Sequence, residues 1–196
     1  MPTRESAWAY LSAEKEGTDM ELKFLTEADK PRYHEELLHL LRESDNDFLP
    51  PLSRRCSTSD QAFTQKAENA DGVLSYYDSM RKQSILVALI ENKVAGFVSF
   101  RENDACGKTP NIYVSTLVVA QWARGKGLTR VMYEHLFGDA FADRHAYTRT
   151  WSTNVAHTKI LERFGFAEQK RIKDDRGEGV DTVYYERLAT PTVAAD

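Results

Sequence analysis

The stretch at residues 117–129, LVVAQWARGKGLT, joins a β-branched run to a helical pattern through a turn that contains two glycines. Glycine lets the backbone bend tightly and approach a ligand closely. The helix that follows turns unpaired N–H groups and a partial positive charge toward the turn. Arg124 and Lys126 add positive charge beside it. Together these features predict an anion site that suits a pyrophosphate.

Two common phosphate-binding motifs do not match this turn. A P-loop needs Gly-x-x-x-x-Gly-Lys-Ser/Thr, and no glycine stands five places before Gly125 or Gly127. The dinucleotide fingerprint Gly-x-Gly-x-x-Gly fails because Arg130 stands where its last glycine belongs. On spacing alone, a plain turn with solvated basic residues stays open as the alternative to an anion site.

Strand patterns precede the turn. Residues 111–119, NIYVSTLVV, are rich in β-branched side chains, which is typical of a strand. Residues 84–90 and 94–100 predict a hairpin across the turn at 91–93. Gly96 in the second strand of that hairpin indicates a bulge or a close approach by another group.

The N-terminal half begins with a strand pattern at residues 20–26, followed by polar helix-start signals at 26–29. An apolar helical stripe comes next, consisting of Tyr33, Leu37, Leu38, Leu40 and Leu41. The sequence DNDFLPP at 45–51 ends that helix. Residues 52–82 are polar and mixed, and we expect a helix and long loops there.

Helix and strand patterns alternate after the turn. A helical stripe starts at Leu128 and contains Val131, Met132, His135 and Leu136. A strand is predicted at 147–152, then a helix from an Asn154 N-cap to Phe164, with Gly165 ending it. Residues 166–173 and 180–188 predict a final hairpin.

The order of these patterns is β-α-(α)-β-β-β-α-β-α-β-β, which predicts an α/β domain with a mixed sheet. With 196 residues and no internal repeat, the chain is long enough for one domain with a substantial core. We place that domain at residues 20–188. Residues 1–19 are expected to form an N-terminal extension and 189–196 a frayed tail.

Two segments resemble a known family. The sequence RGKGLT at 124–129 resembles the acetyl-CoA loop of GNAT acyltransferases, usually written Arg/Gln-x-x-Gly-x-Gly/Ala. The sequence NVAHTKILERFGF at 154–166 resembles the family's Asn…Gly-Phe helix, and the hairpin at 84–100 resembles the strand pair before the loop. The resemblance covers roughly residues 20–188. It implies a mostly antiparallel, twisted mixed sheet with a splayed parallel pair of central strands, flanked by helices.

The resemblance also implies a donor and a set of residues that bind it. The donor is acetyl-CoA, and no metal is implied. Backbone groups of the strand end would bind the pantetheine arm, N–H groups of the loop would bind the pyrophosphate, and Asn154 would contact the pantetheine. The implied set is Leu117, Val118, Val119, Arg124, Gly125, Lys126, Gly127, Leu128, Thr129, Asn154 and His157.

The chain departs from the family pattern at two positions. Thr129 stands where Gly or Ala is usual, and its hydroxyl could bind phosphate. Leu161 stands where many members have a Tyr that serves as general acid for the leaving thiolate, and leucine has no proton to give. His157 lies four residues earlier on the same helix face and is our candidate for this acid. The alternative is a histidine packed beside the cofactor arm or exposed near the helix start.

The strand before the loop has no carboxylate to act as a general base. Tyr113 and Ser115 are the further catalytic candidates on that strand, with ordinary alternating sheet residues as the alternative. Glu102, at the end of the preceding strand, is the nearest acidic candidate. It can equally be a solvated charge, because a base must lie within reach of the amine.

Composition limits the other function classes. A net charge of −4 disfavours a nucleic-acid partner and is compatible with cationic, amine-bearing substrates. No apolar run of membrane-spanning length occurs, and residues 1–19 lack the apolar region of a signal peptide. Cys56 and Cys106 are far apart, so neither a disulfide framework nor a metal cluster is expected. We therefore expect a cytoplasmic protein with no membrane partner.

Three functions remain open at this stage. The first is N-acetyl transfer from acetyl-CoA to a primary amine of a small molecule, amino acid, antibiotic or peptide. The second is an acyl-CoA-binding sensor without catalysis, which Leu161 and the missing strand carboxylate favour. The third, a toxin-like transferase acting on charged tRNA, is disfavoured by the acidic balance. The resemblance also allows a homodimer.

Overall fold

The computed structural model describes residues 20–55 and 71–189. The predicted extension at 1–19 and all but the first residue of the tail lie outside these ranges. The elements are β1 (Met20–Phe24), α1 (His34–Glu43), α2 (Gly72–Met80), β2 (Ser84–Ile90), β3 (Lys93–Glu102), β4 (Asn111–Val119), α3 (Leu128–Glu134), β5 (His145–Trp151), α4 (Val155–Arg163), β6 (Ala167–Ile172) and β7 (Thr182–Arg187).

The seven strands form one sheet in the order β1-β2-β3-β4-β5-β7-β6. The β1–β2, β5–β7 and β6–β7 pairs are antiparallel, whereas β4 and β5 are parallel. The parallel ladder joins Asn111–Val114 to His145–Thr148, so it uses only the first four of the nine residues of β4. The predicted α/β fold, with a mixed sheet and a central parallel pair, is confirmed.

Contacts divide the described chain into two compact units. The first contains residues 20–55, 71–99 and 116–132, and the second contains residues 100–115 and 133–189. The core of the first unit consists of side chains from α1, α2, the first strands and the 3-10 turn Leu52–Arg54, among them the fully buried Leu37, Leu41, Leu52, Met80, Val87 and Phe97.

Helix α1 starts later than the polar signals at residues 26–29 suggest. Asp29 Oδ2 accepts hydrogen bonds from the backbone N–H of Thr26 at 3.0 Å and from its Oγ1 at 2.7 Å. These bonds close a local turn, and α1 begins only at His34. The signals are therefore those of a capped turn, because Asp and Thr side chains bond nearby backbone groups in turns as readily as at helix starts. The predicted leucine stripe is buried in α1 as expected.

An aromatic cluster forms the core of the second unit. Tyr133 packs edge-on against Phe137 and Phe164, with ring centroids 5.0 and 5.7 Å apart. Phe137 meets Phe166 in the same way at 5.2 Å. Aromatic rings favour such edge-to-face geometry because their faces are negative and their edges positive. This cluster packs the π-helical turn His135–Ala140, which continues α3, against the end of α4.

Gly96 marks a close approach, as its place in the strand predicted. A Cβ atom at this position would lie 2.8 Å from the carbonyl oxygen of Val118 and 3.4 Å from the Cα of Val119. The backbone of β4 therefore runs against that of β3 at a distance that only glycine permits. Just beyond, the N–H of Ala120 donates to the carbonyl of Ala95 at 2.9 Å.

We predict that Gly96→Ala lowers the free energy of unfolding by about 1–3 kcal/mol, because the new methyl group overpacks a backbone contact that cannot move aside cheaply. Urea denaturation measures the change. Gly138→Ala is the matched control, since a Cβ there meets nothing within 4 Å. Equal unfolding free energies for the two variants would show that β3 and β4 do not approach as described.

Candidate functional site

The turn at residues 124–127, here called the phosphate turn, follows a 3-10 turn at Gln121–Ala123 and leads into α3. Gly125 and Gly127 have φ angles of 76° and 77°, in the left-handed region that side chains disfavour. A Cβ at either glycine would meet nothing within 4 Å. Turns of this kind bring successive N–H groups together into concave anion sites. The outer side of both glycines is thus not covered by neighbouring atoms.

The Arg124 side chain is held from two sides within the first unit. Its Nη2 donates to Asp47 Oδ2 at 2.5 Å, and its Nε donates to the carbonyl of Val119 at 3.2 Å. Asp47 belongs to the 3-10 turn Asp45–Asp47 that follows α1. The carboxylate therefore offsets part of the positive charge that Arg124 brings to the phosphate turn. No sequence signal indicated Asp47, because it stands 77 residues from its partner.

Lys126 is placed differently. Its ammonium lies over the indole of Trp122, 5.4 Å from the ring centroid. Trp122 precedes the phosphate turn and is 50% exposed. A cation over an indole face is attracted by the negative face of the ring but is not neutralised. The charge of Lys126 therefore stays available to an anion at the turn.

The end of β4 is fixed by a buried hydrogen bond. The Tyr76 hydroxyl of α2 and Thr116 Oγ1 lie 2.8 Å apart, and both residues are almost fully buried. Beyond Thr116, Val118 is buried, while Leu117 and Val119 are half-buried on the other face. The three residues predicted to offer backbone groups to a ligand therefore stand on a strand that α2 holds in place.

Asn154 caps α4, as predicted. Its Oδ1 accepts from the N–H of His157 at 3.3 Å, and its Nδ2 donates to Thr150 Oγ1 at 3.2 Å. An Asn at the N-cap satisfies an amide that the helix itself leaves without a partner. The amide thus ties the start of α4 to β5.

His157 forms a pair with a tyrosine that the sequence did not single out. Its Nε2 lies 2.9 Å from the hydroxyl of Tyr133, which is fully buried. Burial lowers the pKa of His157 to about 4 and raises the pKa of the Tyr133 phenol well above its usual range. Both groups are therefore neutral at pH 7.

Leu161 is completely buried in the second unit, where it packs as a core residue of α4. The position at which many family members carry a tyrosine is thus filled by hydrocarbon. In the second unit, the hydroxyl of Tyr133 contacts α4 by its hydrogen bond with His157. Sequence reasoning could not find this pair, because the two residues are 24 positions apart.

The remaining candidates have structural partners. Tyr113 is buried in β4, and the Arg101 guanidinium lies 4.6 Å from the centroid of its ring. Ser115 is half-buried on the same strand. Glu102 accepts from Arg144 Nη1 at 2.6 Å. This ion pair favours the structural reading of Glu102 as a strand-end charge.

Within residues 20–55 and 71–189, no helix is long and apolar enough to cross a membrane. Over the same ranges, no group of three or more His, Cys, Asp or Glu side chains is arranged to hold a metal ion.

One comparison with known proteins identifies a family. The family model described as the acetyltransferase (GNAT) family matches residues 26–166. The chain therefore belongs to the GNAT acetyltransferase family. Among curated proteins, no sequence matches it significantly.

Solved structures share the fold at low identity. A proposed acetyltransferase from Salmonella typhimurium, solved with its cofactor acetyl-CoA, has a TM-score of 0.56 and 18% identity, with 90% of this chain and 98% of that chain covered. The ribosomal-protein-S18-alanine N-acetyltransferase of Escherichia coli has a TM-score of 0.58 and 14% identity over 90% and 99%. The ribosomal-protein-alanine N-acetyltransferase of Brucella melitensis has a TM-score of 0.57 and 20% identity over 85% and 98%.

The depressed pKa of His157 makes stability depend on pH in a defined window. The unfolded imidazole binds a proton near pH 6.5, whereas the folded one does so only near pH 4. The contribution of the neutral ring is therefore fully present above the unfolded pKa and is lost as the pH falls through this interval. We predict a loss on the order of 2–3 kcal/mol of unfolding free energy between about pH 7 and pH 4 from this group.

Urea denaturation of the wild type and of His157→Gln over that range measures this loss. Glutamine can still bond Tyr133 but does not titrate, so the variant is expected to show a shallower pH dependence. Parallel curves for the two proteins would mean that the His157 ring is not held in its neutral form by the folded protein.

Proposed function

We propose that the protein is an N-acetyltransferase that moves the acetyl group of acetyl-CoA directly to a primary amine. The observation that carries the proposal is the phosphate turn of a GNAT-family chain, with two left-handed glycines whose outer side is open. The donor fits this turn because its pyrophosphate needs backbone N–H groups that no side chain obstructs.

The donor-binding residues are those that the family resemblance assigns. Backbone groups of Leu117, Val118 and Val119 bind the pantetheine arm, and N–H groups of residues 124–129 bind the pyrophosphate. Two further residues are proposed to line the arm, namely Asn154 and His157. The fixed end of β4 and the cap of α4 support these roles, because each holds its segment rigid without help from a ligand.

In the proposed reaction a neutral amine attacks the thioester carbonyl carbon. The new C–N bond forms, the carbonyl oxygen becomes an oxyanion, and a backbone N–H near Val118 stabilises it. Collapse of this intermediate breaks the C–S bond, and the thiolate takes a proton while the nitrogen loses one. Positioning supplies much of the rate in such direct transfers.

The proton for the thiolate is proposed to come from the pair of His157 and Tyr133. Because the imidazole is neutral at pH 7, it does not act as an imidazolium acid. A neutral N–H or O–H of the pair can donate a proton only as another proton reaches the pair. In this reaction that second proton is the one that the amine nitrogen loses, so we propose that the pair relays it to the thiolate. Tyr113 and Ser115 are the further catalytic candidates of the proposal.

The acceptor class is a primary amine of a small molecule, amino acid, antibiotic or peptide. The net charge of −4 suits a cationic substrate before it loses its proton. Two structural neighbours act on ribosomal-protein alanine, which makes a peptide N-terminus a sensible first probe. A cytoplasmic setting and a homodimer belong to the same proposal.

One observation favours a second candidate, an acyl-CoA-binding sensor without catalysis. Leu161 is buried where a family acid often stands, and His157 is neutral. Calorimetric titration with acetyl-CoA, followed by a thiol-release assay over a panel of amines and alanine-initiated peptides, separates the two functions. Binding with amine-dependent thiol release supports the transferase. Binding with no release on any amine favours the sensor, and no binding contradicts both.

We predict that Gly127→Glu weakens acetyl-CoA binding at least about 100-fold, because the carboxylate repels the pyrophosphate at the backbone that should cradle it. Isothermal calorimetry measures the affinity. Gly165→Glu is the matched control, since Gly165 has the same left-handed φ of 79° and equally open surroundings. Equal affinities of the two variants for acetyl-CoA would show that the pyrophosphate does not bind at the phosphate turn.

We also predict that Asp47→Asn strengthens acetyl-CoA binding about 2- to 5-fold. Removal of the carboxylate releases the Arg124 guanidinium, and an exposed ion pair of this kind is worth only about 0.2–1 kcal/mol. The gain should disappear at about 1 M salt, where exposed charges are screened. Asp78→Asn, which breaks the similarly exposed pair with Arg81, is the control. Weaker binding by Asp47→Asn would mean that Asp47 positions Arg124 rather than competing with the donor.

A further inference from the structure

Trp122 is a large apolar side chain on the surface, immediately before the phosphate turn. It is 50% exposed, although its neighbour Ala123 is fully buried. The N–H of Ala123 donates to the carbonyl of Ala120 at 2.9 Å, which closes the 3-10 turn. The indole therefore projects into solvent from an anchored stretch of backbone. Exposed aromatic surface on a rigid support is typical of a binding platform.

Lys126 supplies a cation on the same platform. Its ammonium lies 5.4 Å from the centroid of the Trp122 ring, and it stands between the two left-handed glycines of the phosphate turn. A phosphate binds an ammonium more strongly than an exposed indole does. A phosphate that reaches Lys126 is therefore expected to draw the ammonium away from the ring and leave the indole face to a second group.

We propose that Trp122 and Lys126 form a subsite for the adenosine 3′-phosphate half of CoA. In this subsite the adenine stacks on the indole of Trp122, and the ammonium of Lys126 binds the 3′-phosphate. The inference rests on the proposed function, because the phosphate turn is taken to bind the pyrophosphate that joins pantetheine to adenosine. The platform lies in the first unit and next to that turn in the chain.

This subsite determines which form of acyl donor the protein accepts. A nucleotide base can stack on an aromatic side chain regardless of the donors and acceptors at its edge, because every base has a π face. An acyl group carried on phosphopantetheine alone, as on a carrier protein, lacks both the base and the 3′-phosphate. The subsite therefore selects acyl-CoA over acyl-phosphopantetheine.

Calorimetric titration of the full chain with CoA, dephospho-CoA and 4′-phosphopantetheine tests the proposal. We expect Trp122→Ala to weaken CoA binding about 10-fold and to leave 4′-phosphopantetheine binding unchanged. Trp122→Phe, which keeps a ring, recovers part of the loss. Lys126→Ala weakens CoA binding by a larger factor than dephospho-CoA binding, because only CoA carries the 3′-phosphate; an equal loss for both ligands would assign Lys126 to the pyrophosphate alone. Leu74→Ala, which truncates another exposed apolar side chain of the same unit, changes none of these affinities.

Tryptophan fluorescence gives a second readout. CoA should quench the wild-type emission by stacking, and Trp122→Phe should lose this quenching while Trp151→Phe keeps it. A loss of affinity in Trp122→Ala that is equal for CoA and 4′-phosphopantetheine, or no loss at all, overturns the subsite and leaves the proposed function standing. Failure of the wild type to bind CoA overturns the proposed function and the subsite together.

Discussion

The close approach of β3 to β4 at Gly96 is the constraint on which the end of β4 and the turns that follow it depend. With no side chain at that position, the backbone of β3 reaches the carbonyl of Val118, and the bond from Ala120 to Ala95 follows directly. These contacts define where β4 ends. The 3-10 turn and the phosphate turn are built from that end, so their position follows from a contact between two backbones rather than from the turn residues themselves.

The two basic side chains of the phosphate turn have different electrostatic surroundings. The turn carries two cations in different environments, with Arg124 facing the Asp47 carboxylate and Lys126 over the Trp122 ring. An exposed ion pair such as that of Arg124 with Asp47 contributes little energy, and so does an exposed cation–π contact such as that of Lys126 with Trp122. Neither contact therefore fixes its cation strongly.

In the second unit, by contrast, the polar pair of Tyr133 and His157 is uncharged. Tyr133 and His157 are hydrogen-bonded inside an aromatic cluster, and burial holds both in their neutral forms. Leu161 completes this apolar setting on α4. A proton can move through such a pair only if it arrives from one side as it leaves by the other. The apolar packing that stabilises the unit therefore also limits the acid chemistry that it can perform.

Local patterns made most of the fold predictable. The strand at Asn111–Val119 agrees with its β-branched run, the β2–β3 hairpin with its alternating residues, and the start of α4 with its Asn154 cap. The hairpin and the helix cap depend on bonds between residues that are close in the chain, and the β4 strand agrees with the preference of β-branched side chains for extended backbone. The start of α1 did not follow in this way, because Thr26 and Asp29 bond to each other in a separate turn.

The features of the candidate site likewise fall into local ones, which the sequence predicts, and long-range contacts, which it does not. By itself, the sequence determined the glycine turn, its basic residues, the family and the absence of a tyrosine at position 161, since these depend only on residue type and spacing. Only the tertiary structure decided that Asp47 faces Arg124, that Tyr76 holds Thr116 and that Tyr133 bonds His157. The physical reason is that each of these contacts joins segments 24 to 77 residues apart, and the folding of the backbone, rather than any local preference, brings them within hydrogen-bond distance.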